Sequence, residues 1–339
     1  MDLSTSYLGL SLRSPLLASA SPLSQTVDGV RELADAGVGA VVLYSLFEEH
    51  IRRQEIADFE VIAEHEDTYG EATSYFPDVD VDEGGATPYL RHLENCVAAV
   101  DIPVIASLNG ASLRGWGEMA GRMETAGAAA IEVNPYAVPG DLGTPGSAIE
   151  ERHVEIVHAV KDAVNIPVAM KLSPFFSATG TVCHQLDQAG IDGLVLFNRF
   201  LQPDIDIETM TVHPAVSLSA PNEAGLARTW IAILRGHVCA SLAATTGVET
   251  GADVAKYLLA GADVVMTASA LLRHGPSYAA TLIADLAAWM ERKDFANLEA
   301  FRGVLAVGTD VRAGDYERAG YVAALTHAKE TYGDFLIRD

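Results

Sequence analysis

The sequence predicts an α/β fold, a (β/α)8 TIM barrel with long loops after strands two and six and extra helices at the C-terminal end. Three observations predict it. Short apolar runs alternate with amphipathic stretches eight times, which suits a parallel sheet covered by helices. An Ala-Gly pair recurs just before a strand at Ala36-Gly37, Ala126-Gly127, Ala189-Gly190 and Ala260-Gly261, as expected of helices that end in a left-handed glycine cap. Finally, Leu242–Ser269 reads as strand, glycine turn, helix and second strand, the unit from which such barrels build a phosphate cup.

The elements follow in order. PLLASA (Pro15–Ala20) is the first strand and Val27–Ala36 its helix; AVVLYS (Ala40–Ser45) is the second strand. PVIASL (Pro103–Leu108) precedes a helix over Leu113–Ala126, and AIEVN (Ala130–Asn134) one over Ser147–Ala163. PVAMKL (Pro167–Leu172) leads to Thr179–Ala189, and GLVLFN (Gly193–Asn198) to Glu223–Arg235. VCASLAAT (Val238–Thr245) leads to Gly251–Ala260, and DVVMTAS (Asp263–Ser269) to Ser277–Met290. Two excursions break the rhythm. Leu46–Thr87 holds a charged helix candidate (Phe47–Asp67) and an acidic loop; Arg199–Asn222 holds TMTVHPAVSLS, which alternates like a small hairpin. Both leave the C-terminal ends of strands, the catalytic face of a barrel. The expected domain is single, residues 1–339, with the barrel over about 14–290 and helices packed outside it after Lys293.

Composition excludes several classes. A formal net charge of −24 argues against nucleic acid and anionic membranes as partners. Cys96, Cys183 and Cys239 are far apart and form no CxxC pair, so they read as inert core and give zinc or iron–sulfur sites no support. His50, His65, His153, His158 and His213 lack metal spacing and read as surface residues. No secretory signal pattern opens the sequence, no apolar run approaches a membrane span, and a reduced cytoplasm is the expected compartment.

The residues that carry chemistry are the polar ones at strand C-termini, which a barrel points at one centre. They are Ser45, Ser107, Asn134, Lys171, Asn198, Thr245 and Ser269. A lysine inside the apolar strand PVAMKL is expensive to bury, so Lys171 reads as functional. It suits stabilisation of negative charge on an electron-rich ring, or Schiff-base chemistry. Asn134 and Asn198 offer donors and acceptors to a ring edge of mixed polarity, and Tyr136 is a candidate for proton transfer or a pocket wall. Gly247 permits a tight turn and close backbone approach to an anion.

In SPLLASASPLS, GAVVLYSLFEE, IPVIASLNG, IEVNPYAVP, IPVAMKLSP, GLVLFNRF, TTGVETGADV and MTASALL the chain resembles the dihydroorotate dehydrogenase family of FMN-dependent (β/α)8 flavoproteins, over roughly residues 5–290. SYFP, LFNRFLQPDID and ERAGY resemble a bacterial dihydroorotate dehydrogenase-like branch. The resemblance implies that Ala18, Ser19 and Ala20 lie along the flavin ring and that Ser45 and Ser107 approach it. It implies that Lys171 bonds the pyrimidine end and that Asn134 and Asn198 hold flavin and substrate. Thr246, Gly247, Val248, Ala268 and Ser269 would hold the phosphate. It also implies a small-molecule substrate and a homodimer, and leaves the electron acceptor open.

The departures are equally specific. The family's serine or cysteine base falls in Pro135-Tyr136-Ala137-Val138-Pro139, which has neither. Tyr44 stands where the family has a substrate-holding lysine, and Thr246 replaces one of the paired phosphate-turn glycines. The reading is thus an FMN-dependent oxidoreductase acting on a CH–CH bond of a small substrate, with Tyr136 and Lys171 catalytic and Asn134, Asn198 and Tyr44 facing substrate. The alternatives are a true dihydroorotate dehydrogenase with an atypical base, a Schiff-base aldolase using Lys171, and a flavin-binding protein without turnover.

Overall fold

The computed structural model describes residues 1–48, 85–110, 113–136, 142–199, 204–213 and 217–332. Among them eight parallel strands close into a barrel: β3 (Leu16–Ala18), β4 (Val41–Phe47), β5 (Val104–Asn109), β6 (Ala130–Val133), β7 (Val168–Leu172), β8 (Gly193–Leu196), β11 (Ser241–Ala244) and β12 (Val264–Thr267). They are the eight runs expected from the sequence. The hairpin β1 (Thr5–Tyr7) and β2 (Leu10–Leu12) precedes them, and a second hairpin, β9 (Asp204–Asp206) and β10 (Thr211–His213), follows the sixth barrel strand within the expected excursion but earlier than TMTVHPAVSLS, which supplies only its second strand.

The barrel's helices are α1 (Val27–Asp35), α2 (Thr87–Ala99), α3 (Leu113–Thr125), α4 (Gly146–Lys161), α5 (Thr179–Gln188), α6 (Ala224–Leu234) and α7 (Gly251–Ala260); the short α8 (Ser269–His274) and then α9 (Tyr278–Arg292) follow β12. The recurrent Ala-Gly pairs do the work expected of them: Gly37, Gly127, Gly190 and Gly261 all have positive φ, between 88° and 119°. α2 went unrecognised in the sequence. It buries Tyr89, Leu93 and Cys96 against the barrel. The charged helix candidate Phe47–Asp67 lies almost wholly outside the described residues.

Side chains on the strands alternate between two layers. One layer faces the helices and includes Leu16, Ala18, Leu43 and Val133. The other fills the barrel with Leu17, Val42, Ile105, Ala130, Ala169, Val195, Ala243, Val264 and Met266. Tyr7, Leu8 and Leu12 of the N-terminal hairpin join that inner cluster and plug the bottom of the barrel. Thr5 Oγ1 donates to the Asp263 carbonyl and the Leu8 amide donates to Ser241 Oγ, which anchors the plug at the starts of β11 and β12.

Two expectations need correction. Beyond Lys293, Phe301 and Val307 do pack inward. The long helix α10 (Ala313–Tyr332), however, is exposed along nearly all its described length, because its apolar residues are too scattered to form a burying stripe. Cys239 is exposed rather than core, since it precedes β11 in the turn after α6.

The first turn of α7 lies directly on α9: a Cβ placed on Gly251 would sit 2.3 Å from Asp285 Cβ and 2.9 Å from the Leu282 carbonyl. Gly251→Ala is therefore expected to lower stability by about 1–3 kcal/mol, measured as a lower urea midpoint with an unchanged slope.

Candidate active site

The inward row of side chains becomes polar toward the C-terminal ends of the strands. Above Ala169 on β7 comes Lys171, and above Ala130 on β6 come Glu132 and Asn134. Lys171 is 8% exposed and Glu132 only 1%. Lys171 Nζ lies 3.7 Å from Glu132 Oε1 and donates to Ser19 Oγ at 3.4 Å. Burial pushes the Glu132 carboxyl up, and the neighbouring ammonium opposes that rise. Glu132 escaped the sequence reading, although its parity with Asn134 in AIEVN carried the signal.

A register shift in β4 between Val42 and Ser45 reverses the alternation there. Ser45 consequently meets Ser107 of β5, the two hydroxyls sharing a 2.8 Å hydrogen bond. Tyr44 turns to the helix side, where its half-buried ring meets Tyr89 edge-on at 5.1 Å and His92 at 5.8 Å. The substrate-facing role expected of Tyr44 thus meets a side chain anchored on α2. Tyr89 fixes this corner as well, since its hydroxyl accepts from the Ser107 amide at 3.1 Å. The Ala18 side chain belongs to the helix-facing layer, leaving its backbone to border the mouth. Ala20 packs against the inner cluster.

Asn134 and Asn198 are brought together. Asn198 Nδ2 donates to Asn134 Oδ1 at 2.7 Å, and each backbone amide is tied to the preceding strand, that of Asn134 to the Leu108 carbonyl and that of Asn198 to the Leu172 carbonyl. Tyr136 stands at the rim, 36% exposed, with its amide donating to the Asn134 carbonyl at 2.8 Å.

Beyond β11, Thr246 (φ 80°) and Gly247 (φ 70°) make a left-handed turn. A Cβ on Gly247 would come within 2.8 Å of the Ala224 amide, so glycine permits close packing on the start of α6. The buried Tyr257 hydroxyl donates to the Thr245 and Thr246 carbonyls and holds the turn from below. Thr245 itself is buried on the inward row. The Gly247 amide donates to Ser219 Oγ at 3.2 Å, and Ser219 Oγ and its amide both donate to Ser269 Oγ, at 2.9 and 3.0 Å. Ser219 is thus the hub of this cup. The sequence had placed it in the sixth-strand excursion without a role. Ala268 immediately precedes α8, while Val248 is buried among the helices, its carbonyl accepting from Thr267. Beside the cup, Arg273 pairs with Glu249 and donates to the Ser219 carbonyl.

His153 also departs from its expected surface position. It is 6% exposed on α4, holds the Ile149 carbonyl at 2.7 Å through Nδ1, and meets Phe176 edge-on at 5.1 Å in the loop after β7. Among the described residues no group of three or more His, Cys, Asp or Glu is placed to hold a metal, and no helix is long and apolar enough to cross a membrane.

Comparison with known proteins adds a family to this geometry. Residues 78–290 match the family described as dihydroorotate dehydrogenase. The chain is 26% identical over 310 residues to the catalytic subunit of dihydroorotate dehydrogenase B (NAD(+)) from Methanothermobacter thermautotrophicus, covering 89% of this chain and 98% of that protein. It is 30% identical over 187 residues to the protein of the same name from Listeria welshimeri, covering 52% of this chain and 58% of that protein. It is also 26% identical over 208 residues to the chloroplastic dihydropyrimidine dehydrogenase (NADP(+)) of Arabidopsis thaliana, covering 56% of this chain and 48% of that protein.

Burial holds the His153 imidazole below its ordinary value of 6.5. The unfolded chain therefore binds the proton first as pH falls, so the stability that neutral His153 contributes is whole above about 6.5 and is lost on acidification below it. His153→Phe is expected to flatten the fall in stability between pH 7.5 and pH 5, measured as urea midpoints of both proteins across that range. Parallel curves would contradict it.

Proposed function

The chain belongs to the dihydroorotate dehydrogenase family, and on that premise we propose that it is an FMN-dependent oxidoreductase acting on a CH–CH bond of a small substrate. One observation carries the reading. A buried lysine and a bonded asparagine pair stand at the ends of β6, β7 and β8, and a cup of hydroxyl and amide donors follows on β11 and β12. The donor set suits a flavin mononucleotide. The Ser269 hydroxyl, which accepts from Ser219 and keeps its own hydrogen, offers a neutral donor to a phosphate, and the Ser219 hydroxyl and Gly247 amide add theirs by exchanging their present bonds for it. Lys171, Asn134, Asn198, Ser107 and Ser19 offer the mixed polarity that a heteroaromatic ring edge requires.

Bound flavin supplies hydride acceptance and donation. The protein's own groups do the rest. Lys171 places positive charge where negative charge accumulates on reduction. The Asn134–Asn198 pair orients a flat polar substrate, and Tyr136, at the rim, is the candidate to give or take a proton through its hydroxyl. Ser45 and Ser107, tied together, close the side of the mouth next to β4. A Schiff-base aldolase is disfavoured, because Lys171 is engaged in an ion pair with Glu132, whereas an attacking lysine must be a neutral amine.

We further propose a single-domain, cytoplasmic homodimer that takes a small molecule rather than nucleic acid, in keeping with a net charge of −24. Dihydroorotate is the first substrate to test, since relatives carry its name. The segment after Asn134 lacks the serine or cysteine base, and losing a general base costs about 10² to 10⁴ in rate.

Two outcomes are expected. The purified protein releases FMN on denaturation, and Ser269→Ala weakens FMN binding to the flavin-free chain by roughly tenfold, read by quenching of flavin fluorescence. In stopped-flow mixing, dihydroorotate bleaches the flavin slowly, and Ala137→Cys accelerates it. A flavin that never bleaches with either protein would exclude dihydroorotate as the substrate.

A further inference from the structure

Among the described residues, Glu132 is the one buried acid of the inner barrel whose purpose the fold leaves unexplained. It lies on the inward row of β6, one layer below Asn134, and pairs in register with Ala169 of β7. Lys171 stands one inward step above Ala169, so the carboxylate sits beneath the ammonium on the barrel axis side. Neither Glu132 oxygen has a hydrogen-bond partner. Structural buried acids normally satisfy backbone or side-chain donors, as Asp253 does at the start of α7, where its carboxylate accepts from the Thr250 amide and hydroxyl. Glu132 does neither. Its contact with Lys171, at 3.7 Å, is an ion pair too long for a hydrogen bond. From below it is bounded by the plug, where the buried Tyr7 hydroxyl is also without a partner and feels the Glu132 charge.

Lys171 is held equally loosely. Its contacts are Glu132 at 3.7 Å and Ser19 Oγ at 3.4 Å. An ammonium with three hydrogens and two long contacts retains donor capacity toward the mouth. Its charge is not free, however, because a carboxylate shares the same dry interior, where electrostatic effects are poorly screened.

We propose that Glu132 is the positioning residue of this site: its carboxylate seats the Lys171 ammonium below the mouth and offsets part of its charge, and so sets how strongly the site favours a reduced, anionic flavin ring over an oxidised, neutral one. The inference rests on the reading that FMN lies over Lys171. Removing the negative charge while keeping the shape leaves Lys171 fully positive, which favours the reduced ring and raises the flavin's midpoint potential. A purely structural Glu132 would lower stability or flavin occupancy without moving that potential.

The experiment has two parts. In the flavin-loaded protein, Glu132→Gln is expected to shift the balance toward reduced flavin at least tenfold, which for a two-electron couple is about 30 mV upward, measured by equilibration with a reference dye. Glu132→Asp keeps the charge and is expected to fall between Gln and wild type. In the full chain freed of flavin, urea unfolding of Glu132→Gln, Lys171→Met and the double variant is expected to show coupling: the double variant is at least tenfold more stable in its folding equilibrium than the two single losses combined predict. Should Glu132→Gln fail to fold, recovery of folding in the double variant carries the same meaning. An unmoved potential in a flavin-loaded Glu132→Gln protein, or additive single losses, overturns the proposal. A wild-type chain that takes up no FMN instead overturns the reading beneath it, and leaves the flavin-free cycle to decide whether Glu132 and Lys171 are coupled.

Discussion

An ammonium buried inside a closed barrel constrains everything around it. Lys171 is enclosed by eight strands and a hairpin plug, so its charge must be met by protein groups or by a ligand. Inward-facing Ala130 lies one step below Glu132 and Ala169 one step below Lys171, and both are small, which leaves room for the pair. Breaking such a pair by removing one partner typically costs several kcal/mol, because it strands a buried charge. The polar stratum therefore follows from barrel parity: residues two apart on β6 and β7 share an interior, and what stands on that row must be compatible with one another.

The flanking sites are fixed by a different kind of contact. The cup on β11 and β12 is held by neutral hydrogen bonds through Ser219, with Tyr257 bracing the turn carbonyls. The Asn134–Asn198 pair hangs from backbone bonds to β5 and β7. Neither depends on a loop's own rigidity. Both are tied to strand ends, which lets one rigid scaffold hold groups contributed by distant parts of the chain.

Much of this was legible in the sequence because it is periodic. Strand runs, the Ala-Gly caps and the glycine turn at Gly247 are local signals, and each forms where it was expected. What was missed is what periodicity cannot carry. α2 is preceded by a long charged excursion that obscured its start, although Tyr89, Leu93 and Cys96 are buried on one face. The bulge in β4 redirects Tyr44 without leaving a mark in composition. Ser219 gains its role only when the chain folds back to β11 and β12. His153 resembles a surface histidine until Phe176 covers it, and Glu132 resembles an outward acid until parity turns it in.

The charges around the mouth point to how a ligand is held. Lys171 is paired with Glu132, Arg199 with Glu223, and Arg273 with Glu249. Each of these cations is thus already met by an acid, in a chain whose net charge is −24. An anionic group entering here gains little from bulk attraction, since the long-range field of the protein opposes it. What remains is directional: hydroxyl and amide donors in the cup, and the spare capacity of one ammonium whose own carboxylate holds it only loosely. On the proposed reading, recognition accordingly rests on the placement of donors rather than on accumulated positive charge. That is why the register of β4, the turn at Thr246 and Gly247, and the layer beneath Lys171 matter more to the site than any exposed cation at its rim.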